Sequence, residues 1–193
     1  MSQSDPASYY LSLLAGQTEH DPNDNIVRNA VQLRARDACE YCLMPTYGRY
    51  EIDHIVPKAQ WASYLGGTLH IALHPARAGT VLNHVDNYAW ACAFCNSKKR
   101  KQIDGPIDLA HPGRGRARLF DPRHDNWPEH FYYRDDFALI YGRSTIGMAT
   151  MSALKLNEAP SGLSDPLHTP LSTRIAAMRH GLYPPRWARR HRI

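Results

Sequence analysis

Hydrophobic and polar positions recur with two different periods along the chain, and each period predicts a type of element. In residues 25–38, apolar side chains recur at near-helical spacing with arginines on the opposite side. In residues 49–55, charged and apolar residues alternate as in a half-buried strand, which Pro57 ends. We therefore predict a helix over residues 25–38 and a strand over residues 49–55.

Weaker patterns predict the remaining elements. Residues 58–86 have no clean period, contain several glycine and proline residues, and form a segment longer than an ordinary loop. We interpret this segment as an insertion with room for a short helix. The other predicted helices cover 9–14, 146–156 and 172–180, with one more starting at Asn96, and the other predicted strands cover 116–120, 131–133 and 137–141. Residues 88–93 form a short aromatic and apolar run.

These elements divide the chain into three parts and predict an α+β fold. Residues 1–25 are polar and rich in turn formers, so we expect a partly ordered lead-in. Residues 26–104 form the expected core with the insertion at 58–86. Residues 105–193 form an extension of antiparallel strands and helices that ends in a basic tail.

Composition and charge indicate the expected cellular location and the type of partner. The sequence contains no apolar run long enough for a membrane span and no pattern of a secretory signal. We therefore expect a cytoplasmic protein that is complete as given and has no membrane partner. Lysine and arginine number 23 against 18 acidic residues, a formal charge of +5 that suits a polyanion such as DNA without proving that one binds.

All four cysteines fall into two Cys-x-x-Cys pairs, Cys39 with Cys42 and Cys92 with Cys95. In a chain without a secretion signal, this spacing favours metal over disulfides. Two such pairs supply the four thiolates of a tetrahedral zinc site. A redox dithiol usually occurs singly, and buried inert cysteines are the other alternative. We predict a structural zinc ion.

Carboxylate, amide and imidazole side chains lie between and beside the cysteine pairs. Asp53 and His54 stand at the end of the predicted strand, Asn87 precedes the second pair, and Asn96 follows it directly. Metal-assisted phosphodiester hydrolysis needs oxygen ligands for a cation and a general base. Taken singly, these residues have ordinary alternatives: a surface polar pair, a turn residue and a helix cap. Their nested occurrence predicts a catalytic site.

The arrangement resembles the HNH, or ββα-metal, nuclease family in the variant whose last position is asparagine. That motif begins with Asp-His at a strand end, continues with a central Asn, and closes with His or Asn on the first helical turn, often between flanking Cys-x-x-Cys pairs. Asp53 with His54, Asn87 and Asn96 match these positions, although the spacer between His54 and Asn87 is long. The resemblance implies a zinc-stapled ββα-metal (HNH) core with an N-terminal helix and a C-terminal antiparallel strand plus helix extension.

The resemblance also implies a role for each matching residue. His54 is the general base, and Asp53 and Asn96 are ligands of a catalytic Mg²⁺ or Mn²⁺ ion. Asn87 is expected to orient the histidine strand by hydrogen bonding across the loop. The C-terminal segment from Arg118 onward is similar to that of small stand-alone bacterial HNH proteins and has no catalytic assignment to carry over.

Four basic residues follow Asn96 almost immediately: Lys98, Lys99, Arg100 and Lys101. On a helix that starts at Asn96, we expect their side chains to lie close to the metal site and to contact phosphate without selecting a sequence. A solvated charge run is the ordinary alternative.

The sequence therefore predicts a metal-dependent DNA endonuclease. Two alternatives stay open: a zinc-stapled nucleic-acid-binding module without activity, and a nuclease that cuts RNA. The presence of all four motif residues argues against the binding module, whereas nothing in the motif separates DNA from RNA, since the metal and the base act on phosphate in both. Cutting both strands with one site requires a homodimer or two successive nicks.

Overall fold

The computed structural model describes residues 5–45, 49–108, 110–134, 137–158 and 170–191. The first residues of the predicted lead-in, 1–4, and segment 159–169 of the predicted extension lie outside these ranges. Helices in the described ranges are α1 (Pro6–Leu13), α2 (Asn25–Arg34), α3 (Trp61–Leu65), α4 (Ala93–Lys99), α5 (Trp127–His130), α6 (Thr145–Ala153) and α7 (Pro170–Arg179). Strands are β1 (Tyr50–His54), β2 (Tyr88–Cys92), β3 (Asp104–Pro106), β4 (Arg116–Arg118), β5 (Phe131–Tyr133) and β6 (Ile140–Gly142).

The strands form three antiparallel pairs, so the fold is α+β, as predicted: β1 with β2, β3 with β4, and β5 with β6. In the described ranges, no helix combines the length and the apolar composition that a bilayer crossing requires. The described residues also form short 3₁₀ helices at Lys58–Gln60, Pro75–Arg77, Val85–Asn87 and Arg186–His191.

Helix α2 begins where the sequence predicts but ends earlier. The Asp24 carboxylate accepts a hydrogen bond from the Ile26 N–H (2.6 Å) and caps the first turn. The predicted helix to residue 38 is wrong in its last four residues, because Arg36 and Asp37 both adopt left-handed backbone angles (φ 54° and 55°). This turn directs the chain into the first cysteine pair.

Strands β1 and β2 pair antiparallel and continue directly into α4. His54 lies opposite Tyr88 and Asp53 opposite Ala89 in the register. Helix α4 begins at Ala93 rather than at the predicted Asn96, because the Cys92 sulfur accepts a hydrogen bond from the Cys95 N–H (3.4 Å) and caps the helix there. Asn96 therefore lies inside the helix rather than at its start.

The C-terminal strands pack under α6, which contacts β3, β4 and β6. Strand β5 coincides with the prediction for 131–133. The strand predicted over 137–141 is displaced to Ile140–Gly142, because Phe137 takes a left-handed conformation (φ 56°) that an extended strand does not allow. The strand predicted over 116–120 ends at Arg118.

An aromatic cluster joins this extension to the first cysteine pair. Trp127, Phe131 and Tyr133 are buried and pack ring against ring. The Trp127 indole N–H donates to the Tyr41 carbonyl (3.1 Å), and the Tyr183 hydroxyl donates to the carbonyl of Cys42 (3.2 Å). The cysteine loop and the C-terminal extension therefore share one core.

A buried ion pair connects the insertion to the extension. The Arg77 guanidinium donates two hydrogen bonds to Asp121 (2.5 and 2.6 Å), and both side chains are almost fully buried. Arg77 also donates to the Asn87 side-chain oxygen (3.3 Å). Burial alone raises the pKa of Asp121, but the hydrogen bonds and charge of Arg77, together with hydrogen bonds from His124 and the Arg123 N–H, lower this pKa below its ordinary value.

We predict that Arg77→Met destabilises the protein by about 3–5 kcal/mol, because it removes the guanidinium that is buried against the Asp121 carboxylate. The measurement is urea unfolding of the zinc-loaded chain. Arg114→Met, which removes an exposed arginine, is the matched control and should change stability by less than about 0.5 kcal/mol. Equal unfolding midpoints for the two variants would contradict the structural role of this pair.

Candidate metal centre and catalytic cleft

The four cysteine sulfurs converge on one point of the fold. Their Sγ atoms all lie within 4.8 Å of one another, and Cys39, Cys42 and Cys95 are buried. Cys42 Sγ and Cys92 Sγ are 3.9 Å apart, close to the roughly 3.8 Å that a tetrahedron with Zn–S bonds of about 2.3 Å requires. The cluster could hold a zinc ion, as the spacing of the pairs predicts.

Tight backbone turns present these sulfurs. In the first pair, the Leu43 N–H donates to the Cys39 carbonyl (2.8 Å) and the Cys39 N–H donates to Met44 (2.8 Å). Leu43 closes the turn with a left-handed conformation (φ 57°). In the second pair, Cys92 caps α4, and Cys95 lies on the first turn of this helix. Each pair therefore presents two sulfurs from one short segment.

The electrostatics of the cluster favour a bound cation. Hydrogen bonds from the other three thiols, Cys39 first, hold the pKa of Cys42 well below its ordinary value. Contacts with Cys39 and Cys42 raise the pKa of Cys92 and of Cys95 well above theirs. Because one thiolate suppresses ionisation of its neighbours, all four ionise together only if a positive ion offsets their charge.

Asp53, His54 and Asn96 line one open cleft with a volume of about 350 Å³. The cleft lies where β1 ends beside α4, and the exposed side chains of Lys58, Arg100 and Lys101 also line it. The structure thus brings together three of the four residues predicted to be catalytic.

Asp53 lies at the inner wall of this cleft and already has two partners. It is buried, and its carboxylate accepts a hydrogen bond from the Tyr41 hydroxyl (2.6 Å). Its second partner is the Lys99 ammonium, at 3.0 Å. A cation that binds Asp53 must share this carboxylate with Lys99.

Asn96 is held by a residue that the sequence analysis did not single out. Its side-chain N–H donates to the Glu51 carboxylate, which also pairs with Arg49 (2.9 Å). No residue in the described ranges donates a hydrogen bond to the Asn96 side-chain oxygen, so this oxygen can serve as a ligand. Strand alternation is the signal for Glu51, since residues two apart on β1 share a face and Glu51 is two before Asp53.

Asn87 lies outside the cleft and is completely buried. Its side-chain oxygen accepts from the Val56 N–H (2.9 Å), and its side-chain N–H donates to the carbonyls of Val56 (3.1 Å) and Leu82 (3.0 Å). The Ile55 N–H donates to the Asn87 carbonyl (2.8 Å). These bonds position the segment directly after His54.

His54, the last residue of β1, is half-buried and lines the cleft. Its Nε2 lies 3.2 Å from the Asn83 side-chain oxygen, and its ring packs almost perpendicular to that of Tyr88. Burial lowers the pKa of His54 below its ordinary value of 6.5, and Lys58 adds to this effect. The imidazole is therefore mostly neutral at neutral pH, as a general base must be.

The basic segment after Asn96 divides into outward and inward side chains. Arg100 and Lys101 are exposed, whereas Lys98 pairs with Glu158 (3.1 Å). The predicted phosphate contact of Lys99 is wrong for this structure, because Lys99 lies four residues after the buried Cys95 on the same helix face and is 1% exposed. Its ammonium donates to the His54 carbonyl (2.8 Å) as well as pairing with Asp53.

Comparison with protein-family models, with curated proteins and with solved structures finds no match for this chain. Its function must therefore be inferred from its own residues.

Lys99, in α4, and Lys101, just after α4, should differ in how much they contribute to stability. Lys99→Met should destabilise the protein by about 3–5 kcal/mol, since Asp53 then stays buried without a charge partner. Lys101→Ala, which removes an exposed side chain, should leave stability within about 0.5 kcal/mol of wild type. Urea unfolding of the two variants measures the difference. Equal unfolding midpoints, or a larger loss of stability for Lys101→Ala, would contradict the structural role of Lys99.

Proposed function

We propose that this protein is a metal-dependent endonuclease of the HNH type that hydrolyses phosphodiester bonds in DNA. One observation carries the proposal: Asp53, His54 and Asn96 line the same open cleft, together with exposed cations. A half-buried imidazole beside oxygen ligands is the combination that metal-assisted hydrolysis of a phosphodiester requires.

The donors in the cleft fit a hard divalent cation. The carboxylate of Asp53 and the side-chain oxygen of Asn96 are ligands of the kind that Mg²⁺ and Mn²⁺ prefer. Because the Asn96 amide N–H donates to Glu51, its oxygen is left for the cation. When bound, such an ion offsets the charge of the phosphate and of the leaving oxygen.

His54 performs the proton transfer in this proposal. The neutral imidazole takes a proton from a water molecule as the water oxygen attacks phosphorus. The bond from phosphorus to the 3′ oxygen breaks, and that oxygen leaves as an alkoxide that takes a proton from solvent water, while the imidazolium of His54 returns its proton to solvent. Asn87 holds the segment after His54, so its loss would displace the base rather than remove it.

Exposed lysine and arginine side chains around the cleft supply the contacts with the substrate. Arg100 and Lys101 extend from the end of α4, and Lys58 approaches from the start of the insertion. Side chains of this kind bind the phosphate backbone without reading bases. The proposed zinc ion has no chemical step of its own, and its role is to hold the β1–β2 pair against the first cysteine loop.

The test is incubation of the zinc-loaded full chain with supercoiled plasmid, with Mg²⁺, with Mn²⁺, without added metal, and with EDTA followed by excess Mg²⁺. We expect nicked plasmid with either metal, none without metal, and recovery when Mg²⁺ follows EDTA. Plasmid that shifts in a gel but stays uncut in both metals would indicate a binding module. Cleavage of a structured RNA, with plasmid intact, would overturn the assignment to DNA.

A further inference from the structure

The imidazole of His54 is held from two directions by residues outside the Asp-His motif. Its Nε2 lies 3.2 Å from the side-chain oxygen of Asn83. The ring of Tyr88 packs against it with centroids 5.0 Å apart and an interplanar angle of 85°. Asn83 belongs to the insertion, to which the sequence analysis assigns no role.

The contact with Asn83 determines which ring nitrogen carries the proton. A neutral imidazole has one N–H, and an amide oxygen can only accept a hydrogen bond. Nε2 therefore donates to Asn83, and Nδ1 retains its lone pair. Among the residues that the structure describes, none makes a hydrogen bond with Nδ1 of His54. Nδ1 is thus the nitrogen free to accept a proton.

Asn83 is itself fixed by the segment before α2. Its carbonyl accepts a hydrogen bond from the His20 N–H (2.6 Å). His20 is buried, and its Nδ1 accepts from the Val85 N–H (3.1 Å), two residues beyond Asn83. The Tyr88 hydroxyl donates to the His20 carbonyl (2.6 Å). One buried residue therefore positions both groups that contact the His54 ring.

We propose that Asn83 is a positioning residue that selects the Nε2–H tautomer of His54 and so makes Nδ1 the general base. The catalytic part of this inference rests on the proposed function. The tautomer, however, is a property of the folded chain and can be measured without substrate. Residues that hold the second nitrogen of a functional histidine fix its tautomer and ring orientation in the same way.

The experiment uses the zinc-loaded full chain with ¹⁵N-labelled histidine and long-range ¹H–¹⁵N correlation at pH 8. We expect wild-type His54 to carry its proton on Nε2. Asn83→Ala should give a mixture of both tautomers, and Asn83→Asp, which keeps an acceptor oxygen, should restore the Nε2–H form. Asn23→Ala removes an exposed asparagine of the neighbouring loop and is the matched control.

Cleavage kinetics provide the second readout. Asn83→Ala should lower kcat by about 10- to 100-fold and leave KM close to wild type, and Asn83→Asp should recover most of kcat. Nδ1–H in the wild-type ring, or an unchanged tautomer in Asn83→Ala, would overturn the role of Asn83. A chain that does not cut DNA but shows the expected tautomers contradicts the proposed function alone, so the two failures are distinguishable.

Discussion

Cys95→Ser is expected to unfold the core of the protein. Cys95 is fully buried, and loss of its thiolate should remove most of the free energy of zinc binding, which is on the order of 10 kcal/mol for a site of this type. Whole domains are stable by only about 5–15 kcal/mol. The aromatic cluster and the first cysteine loop share hydrogen bonds at Tyr41 and Cys42, so both should lose their packing together. Near-UV circular dichroism and zinc content measure the effect.

Ser97→Ala is the matched control, because Ser97 is an exposed neighbour on the same helix and its hydroxyl donates to the Phe94 carbonyl within α4. It should retain one zinc ion per chain and a wild-type spectrum. Chelation of zinc from the wild-type chain should reproduce the effect of Cys95→Ser, and renewed addition of zinc should reverse it. A Cys95→Ser protein that keeps a cooperative unfolding transition near that of wild type would show that the cluster is not structural.

His54→Ala is expected to lower the rate of plasmid nicking by a factor of about 10² to 10⁴, because it removes the proposed general base without removing the proposed cation ligands. The half-buried ring contacts Tyr88 and Asn83 and forms no ion pair with any residue that the structure describes, so the folded structure should survive. Single-turnover cleavage with saturating Mg²⁺ measures the chemical step.

His180→Ala, which removes an exposed histidine of the C-terminal part, should cut at the wild-type rate. Since burial lowers the pKa of His54, the wild-type rate should be level near neutral pH and fall tenfold per pH unit below that lowered pKa. Nicking by His54→Ala within a factor of about three of wild type would mean that another group acts as the base.

Short-range patterns predicted much of this fold. The alternation over residues 49–55 gave strand β1, and the aromatic run at 131–133 gave β5 with its bounds. The convergence of the four sulfurs was also predictable, since each Cys-x-x-Cys pair acts through a local turn and zinc geometry specifies the rest. In these cases the information lies within a few residues of the element.

The errors arose where tertiary contacts override local pattern. The apolar pattern of α2 continues to residue 38, but the helix ends at Arg34. Arg36 and Asp37 adopt left-handed backbone angles that direct the chain towards the first cysteine pair. Lys99 belongs to a basic run, which predicts an exposed side chain. It is buried because it shares a helix face with Cys95 and pairs with Asp53. Contacts made across 29 residues, such as that of His54 with Asn83, leave no periodic signal in the sequence.

Whether Asp53, His54 and Asn96 share one divalent cation is tested most directly by titrating Mn²⁺ into the zinc-loaded, isotopically labelled chain and following paramagnetic line broadening. The proposed site predicts that the His54 ring and the Asn96 side-chain amide broaden first, at Mn²⁺ concentrations well below that of the protein. If both stay sharp while an exposed pair such as Asp108 and His111 broadens instead, the cleft does not hold the catalytic cation and the proposed nuclease mechanism is wrong.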